Sequence, residues 1–473
     1  MASILDGLNI AKLSLSAQQY AMTVSQRNTA NVNNPNYTRQ DVFFTDLTVP
    51  ANWSTAGVPG VELWAARNRY LDQSISYELP ALGENLVKYN ALKEIDAVLQ
   101  GTSGGGLGTS IDKFFNSFTE LSSSPTDSSL RWQVLSSAET MIEDFHRLYS
   151  EIQRVQNSAE RHIVSGVEDI NKLTAKIADL NGRIETAHTV GQMETEYALR
   201  DERQQYIEEL QGKVNFLYFE TEAGSITITT KQGDALVLGR TSMKLTLGDR
   251  TDGAGTVISH FSGIYLNDKE ITDTINSGEI GGYIQVRDTL IPGYLKTLDD
   301  TAAGIIDRVN TVHAEGWDLD NNQGGDFFVP FTPAPPNTSA ARTIKLAITD
   351  PREIAAAGDE GGATMGIGDN NNAKKLAEIG VEKFYAGGTQ TVGEMYASLI
   401  YTVGADQRTA KESGEKQQSV LGQLLGQRDS ESGVSLNEEA INLIKFQRAY
   451  QASSRIVAVL NALSAEVLNF VGV

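Results

Sequence analysis

The last forty residues constrain this chain most, because they cannot fold alone. Leu436, Leu443, Tyr450 and Val457 recur every seven residues, with Phe446, Leu460 and Val467 at the intervening heptad position. That spacing lays an apolar seam along one helix. A second set, Ile444, Ile456, Val459, Leu463 and Phe470, widens the seam over much of the circumference. Ser435, with Glu438 three residues on, has the pattern of a capping box at the start. If helical throughout, the segment reaches roughly 55 Å at about 1.5 Å per residue. An isolated helix this apolar is unstable in water, so it requires a partner.

The other end of the chain offers one. From Ile4 to about Val32, Leu8, Leu15 and Met22 repeat at seven, and Ile10, Leu13, Ala17, Tyr20 and Val24 broaden the same face. The run from Asn31 through Asn33, Asn34, Pro35 and Asn36 to Tyr37 ends that helix, since Pro35 disfavours helix before it and asparagines bond their own backbone. Residues 38–44 read as extended. Both ends are electrically quiet. Lys12, Arg27 and Arg39 face only Asp6 within the first forty residues, and three cations balance three acids in 434–473. The net charge of −21 therefore falls on the middle, which argues against nucleic acid as a partner. There is no cysteine, hence no disulfide or thiolate site. No window has the ~18 apolar residues of a membrane span, and Asp6, Asn9 and Lys12 interrupt any signal-like core. Neither membrane insertion nor a cleaved signal peptide is expected.

Between the ends, a loop holding Trp53, Pro59 and Trp64 leads to a helix from about Pro80 to Leu99, broken by the glycines of 101–108. A short helix spans Ile111 to Leu121. Then Ile142, Tyr149, Ile163, Ile170, Ile177 and Ile184 hold one heptad position and Phe145, Ile152, Leu173 and Leu180 the other. This predicts a rod-like helix ended by Gly191, with 194–211 returning along it. The period shifts to two at Val214, giving strands over 216–219, 225–229 and 244–247 in a β region reaching Gly278. Residues 283–315 read as helix with a kink or break at Ile291-Pro292-Gly293. Residues 317–380 read as irregular to β with one clear strand, Thr343 to Ile348, and 392–427 as a long polar helix.

No catalytic or cofactor constellation emerges. Gly101-Thr102-Ser103-Gly104-Gly105 matches the nucleophile-elbow string but lacks a preceding strand, so a linker explains it better. Asp318, Asp320 and Asn322 have the odd-position spacing of a calcium loop, but Gln323 and Val329 stand where glycine and glutamate are needed. An Asx-rich turn accounts for them, and no metal is expected. His146, His162, His188, His260 and His313 lack ligand spacing. Three glycosylation sequons, at Asn36, Asn52 and Asn337, are of the kind that arises by chance in an Asn-rich chain.

The two ends together resemble the bacterial flagellar axial proteins, on the hook-associated branch that joins hook to filament. Asn28, Ala30, Asn31, Asn33, Pro35, Tyr37, Thr38, Arg39 and Gln40 follow that family's N-terminal turn, with Asn36 where glycine is usual and a left-handed conformation expected for it. Ser432-Gly433-Val434-Ser435-Leu436, Glu438-Glu439-Ala440, Asn442-Leu443-Ile444, Phe446-Gln447 and Ala449-Tyr450-Gln451-Ala452 follow its closing motif. The resemblance implies a non-enzymatic, extracellular subunit of the flagellum, without cofactor. It implies hook protein, a second junction protein and copies of itself as neighbours, and an export chaperone on the C-terminal helix. A hook- or rod-type axial protein, a secreted hydrolase using Ser103 and a free coiled-coil scaffold are the alternatives.

The expected architecture is multidomain and mainly α, with inserted β segments. Its terminal helical pair is 1–45 with 430–473. A long-helix middle comprises 46–212, 281–316 and 385–429, and a β-rich outer part 213–280 and 317–384, with the β part at the pole opposite the ends. The ends should fold on assembly, since burying a large apolar side chain contributes about 1.5–3 kcal/mol only where something covers it.

Overall fold

The computed structural model describes residues 2–46, 59–101, 106–251, 256–333, 339–358 and 368–471. Its spine is the heptad helix. α1 (Ala2–Ala30), β1 (Gln40–Asp46), β2 (Pro59–Ala65), α2 (Arg69–Gln100) and α3 (Leu107–Ser123) precede α4 (Ser128–Val190), which is 63 residues long. At about 1.5 Å per residue α4 extends roughly 95 Å. Asp127 caps it by accepting the Ser129 N–H at 2.8 Å, and Gly191 ends it at φ +74°, a conformation that favours glycine. The heptad isoleucines, with Phe145, Ile152, Leu173 and Leu180, are buried along it. α5 (Met193–Lys213) returns antiparallel, as the pattern requires.

Two large apolar cores, and a small cluster of Leu180, Ile184, Ala187 and Leu199, share this spine. In the second, α4 from Ile163 to Ala178 packs with α5, two antiparallel sheets and α6 (Gly278–Gln285). One sheet runs β3 (Leu217–Glu220), β4 (Ile226–Thr229), β5 (Ala235–Leu238) and β6 (Thr241–Ser242), and the other β7 (Leu245–Thr251), β8 (Val257–Leu266) and β9 (Lys269–Glu270). Two α4 amides grip them. Asn181 donates to the Ile226 and Gly239 carbonyls, and Asn171 both donates to and accepts from the backbone of Leu245. In the first core, α4 from Val134 to Ala159 meets α2, α3 and α7 (Ile291–His313). The same core takes in Phe327 and Phe328, α8 (Ala340–Thr343), α9 (Asn371–Glu378) and the start of α10 (Val392–Ser432). The Thr391–Glu394 capping box opens α10, which lies along α2. α11 (Leu436–Val471) closes the chain against α1.

Several expectations are corrected. Residues 59–65 are a strand paired with β1, not a loop, because Val61 and Leu63 alternate with Glu62 and Trp64. α2 begins at Arg69, capped by Asn68, and carries Pro80 inside it. The helix from 278 does not break at Pro292. A π turn over Val286–Leu290 widens the backbone just ahead of the ring, which lacks an N–H to donate. Thr343 to Ile348 is not a ladder strand. Val329 N–H donates to Lys345 O and Ala347 N–H to Phe327 O around a single bridge, and burial of Ile344 and Ile348 with the half-buried Leu346 between them creates the period of two. The described part of 317–384, grouped from sequence with the β segment, packs in the other core and contains only isolated bridges. Nor does the β region lie opposite the chain ends. Glu220 of β3 pairs with Arg69, directly after the β1–β2 hairpin.

Candidate assembly surface

The terminal elements form a module of their own. Among the described residues, none before Ala91 or after Val403 enters an apolar core cluster. The bonds joining the module to the body are polar. Thr38 donates its N–H and its hydroxyl to the two Asp201 oxygens (3.0 and 2.7 Å), Arg27 pairs with Glu194 (2.5 Å), Arg39 N–H donates to Ser432 O and the Tyr197 hydroxyl to Leu63 O. Burial pushes the Asp201 carboxyl above the usual carboxylate range, against the two Thr38 bonds that lower it.

α1 and α11 run antiparallel. Asn28 meets Glu439, Ser14 Oγ meets Ser453 Oγ at 3.0 Å, and Gly7 faces Leu460. The three pairs share one sum of residue numbers, so the register holds without a break from end to end and sets Ala21 opposite Phe446. The seam on α1 is made of small residues: Ala11, Ala17, Ala21, Val24 and Ser25 are buried, Ala21 completely. Leu8, Leu15 and Met22, expected at its centre, are half-buried beside it. Small side chains let the helix axes approach, and the bulk comes from α11 through Phe446 (9 % exposed) and the half-buried Leu443, Val457, Leu460 and Val467.

At the far end of the seam sits Asn28, 1 % exposed. Its amide donates to Gln40 O and Glu439 Oε1, each at 2.8 Å, and its carbonyl accepts from the Tyr37 hydroxyl (2.7 Å) and Gln40 N–H (3.2 Å). All four capacities of one amide are satisfied, by α1's own turn, β1 and α11. Burial raises the Tyr37 phenol to about 12. Asn31 donates to Arg27 O, Asn33 and Pro35 are exposed, and Arg39 pairs with Glu438 at 3.0 Å. Asn36 is not left-handed, contrary to expectation. Its N–H donates to Asn34 Oδ1, and this Asx turn makes the bend at ordinary φ. Ser435 Oγ accepts from Glu438 N–H at 3.4 Å at the start of α11. Sequence reasoning missed Glu439, Ser14, Ser453 and Asp201 as contacts. Only the matching heptad spacings of Gly7, Ser14, Ala21 and Asn28 on α1 and of Glu439, Phe446, Ser453 and Leu460 on α11 could have found the first three.

Across from the seam, the described part of α11 carries an uncovered apolar stripe. Leu436, Ile441 (65 % exposed), Ile444, Ile456, Val459 (58 % exposed), Leu463 and the edge of Tyr450 face outward. The side chain of Phe470 lies outside the described residues. No helix of the described residues is long and apolar enough to cross a membrane.

Of the other sequence candidates, Asp318, Asp320 and His313 have structural partners. Ser103, Asn52 and Asn337 lie outside the described residues. Asp318 Oδ1 accepts the N–H groups of Asp320 and Asn322, and Asp320 pairs with Arg352. His313 is buried and neutral, with Nδ1 on Gly325 O and Nε2 accepting from Ala355 N–H. Burial lowers its pKa.

A profile of the "Flagellar hook-associated protein FlgK helical domain" matches residues 92–328, half of the chain. The chain belongs to the FlgK family. A "Flagellar basal body rod FlgEFG protein C-terminal" profile matches residues 426–470 of this FlgK-family chain. It is 29 % identical to flagellar hook-associated protein 1 of Bacillus subtilis over 100 % of this chain and 99 % of that protein. It is 25 % identical to the Escherichia coli protein of the same name over 98 % and 99 %. The solved structure of a flagellar hook junction protein FlgK from Burkholderia pseudomallei has the same fold, with a TM-score of 0.66 at 15 % identity over 76 % of this chain and 99 % of that one.

Proposed function

We propose that this chain is a structural subunit of the bacterial flagellum, outside the cell, that joins hook to filament and assembles through α1 and α11. The observation that carries this is the unpartnered outer stripe of α11. Two helices bury one seam, and the stripe across from it is too apolar to remain wet. In an axial tube, neighbouring copies cover it. Hook protein on one side, a second junction protein on the other and an export chaperone on α11 before secretion complete the set of partners. The subunit performs no catalysis, and Ser103→Ala leaves motility intact.

A second reading, a hook- or rod-type axial protein, is favoured by the rod-protein profile over 426–470. One strain separates the two. Deleting the gene should leave hooks that bear no filaments, and complementation with Ile444→Asp/Val459→Asp should restore soluble subunit but not filaments. Loss of the hook itself would establish the second reading, and filaments of normal yield would refute assembly through α11.

A further inference from the structure

Two uncovered faces of this molecule complement each other. On the β1–β2 hairpin, Phe43 lies opposite Glu62 and Asp41 opposite Trp64, so these four share one face. Phe43 and Trp64 meet edge to face with centroids 6.2 Å apart, and both rings are about half exposed. The next residue, Phe44, points the other way and meets Phe446 at 6.1 Å. The hairpin is thereby fixed on its own α11, and the face with Phe43, Trp64 and Glu62 turns outward, Asp41 being paired with Arg39 of the same chain at 3.4 Å. α11 carries the converse chemistry. Between Glu439 and Glu466 it has no acidic residue but has Lys445, Arg448 and Arg455, all exposed and interleaved with the apolar stripe. None of the three forms an ion pair among the described residues.

We propose that the outer face of α11 in one copy docks on the Phe43–Trp64 face of the next copy, a head-to-tail contact that rests on the assembly reading above. Ile444 and its neighbours cover Phe43, the Arg448 guanidinium stacks on Trp64, and Glu62 pairs with the cations. The chain cannot make this contact with itself, because Phe44 already holds the hairpin against the seam side of α11. A different acidic protein on α11 would leave the two aromatic rings wet, whereas a second copy covers both faces. Each subunit then presents one donor and one acceptor surface, the heterologous arrangement that propagates into a ring or helix.

The full chain has no cysteine, so single substitutions report cleanly. Trp64→Cys and Ile444→Cys chains, mixed at concentrations where the unmodified chain self-associates and then oxidised, should give the mixed disulfide in several-fold excess over either homodimer. Glu62→Lys and Arg448→Glu should each raise the half-association concentration by about fivefold or more, fivefold being the upper range for an exposed ion pair, and the double substitution should recover the ion-pair part of that loss but not the stacking on Trp64. An Ile444→Cys homodimer in excess would mean that helices pair with helices, and would overturn the contact. Self-association without the mixed disulfide would overturn it while leaving assembly intact, and no self-association at all would overturn both. A disulfide to another protein instead of a second copy, with both chains expressed in motile cells, also overturns it.

Discussion

Replacing Asn28 by alanine tests the terminal module at its centre. The substitution deletes four hydrogen bonds, to Gln40 O and N–H, Tyr37 hydroxyl and Glu439 Oε1, at a site 1 % exposed. Each is worth about 1 kcal/mol net, and water admitted into the vacated space recovers part, leaving a loss of about 3 kcal/mol. That corresponds to a factor of roughly 150 in the equilibrium that closes the module. Because no apolar core crosses into it, the loss is local. Hydrogen exchange and sedimentation divide the outcomes. Where α1 and α11 are paired in the free chain, α11 amides exchange about 150-fold faster. Where they pair only on association, the same factor appears in the half-association concentration. Asn33→Ala, at an exposed position of the same turn, is the control. If both readouts moved less than about threefold for Asn28→Ala, the amide would contribute no more than a surface group, and the network would not hold the module.

Three further outcomes follow from the same geometry. Ala21→Leu inserts an isobutyl group opposite Phe446 and should weaken the module by about 1–3 kcal/mol in the same exchange assay, while Leu13→Ala on the exposed face changes it little. Thr38→Val removes the 2.7 Å hydroxyl bond to buried Asp201 and should loosen the module from the body by about 1–2 kcal/mol, read as faster cleavage by a protease near residue 38. His313, lowered by burial, is neutral in the fold, so its contribution is fully present above its ordinary value of 6.5. As pH falls below 6.5 the unfolded chain takes up a proton that the folded one refuses, and stability is lost until the lowered folded value is reached. Urea midpoints measured from pH 8 to pH 4 should therefore fall less steeply for His313→Gln.

What the sequence revealed depended on whether the decisive interaction was local. The α4 rod was legible because one heptad frame runs from Ile142 to Ile184 and Gly191 stops it, and both signals are periodic or single-residue. β2 was missed because Pro59 and Gly60 read as loop, while the pairing that makes a strand comes from Gln40 to Asp46. Thr343 to Ile348 read as a strand because side-chain burial alternates there, although ladder hydrogen bonds, which leave no trace in composition, are nearly absent. At the terminal pair the apolar set was found but its centre was misplaced. Hydrophobicity ranks Leu8, Leu15 and Met22 above Ala17 and Ala21, yet the partner brings Phe446, and a large ring needs a small residue across from it. The Asn28 cluster was legible only as a turn motif. Its bond to Glu439, 411 residues away, depends on the helix register.

The polar character of the joint between the terminal module and the body has a thermodynamic consequence. Swinging the module about residues 66–68 and 432–435 exchanges bonds such as Thr38–Asp201 and Arg27–Glu194 for bonds to water and uncovers none of the apolar core clusters. Heat-capacity changes follow exposed apolar area, so this motion should carry almost none, whereas separating α1 from α11 should carry a large positive one. Reorientation at the joint is then nearly independent of temperature, while the integrity of the helix pair is not. A subunit built this way holds its compliance and its cohesion in different parts of the chain, and a change of temperature or a substitution can alter one without the other.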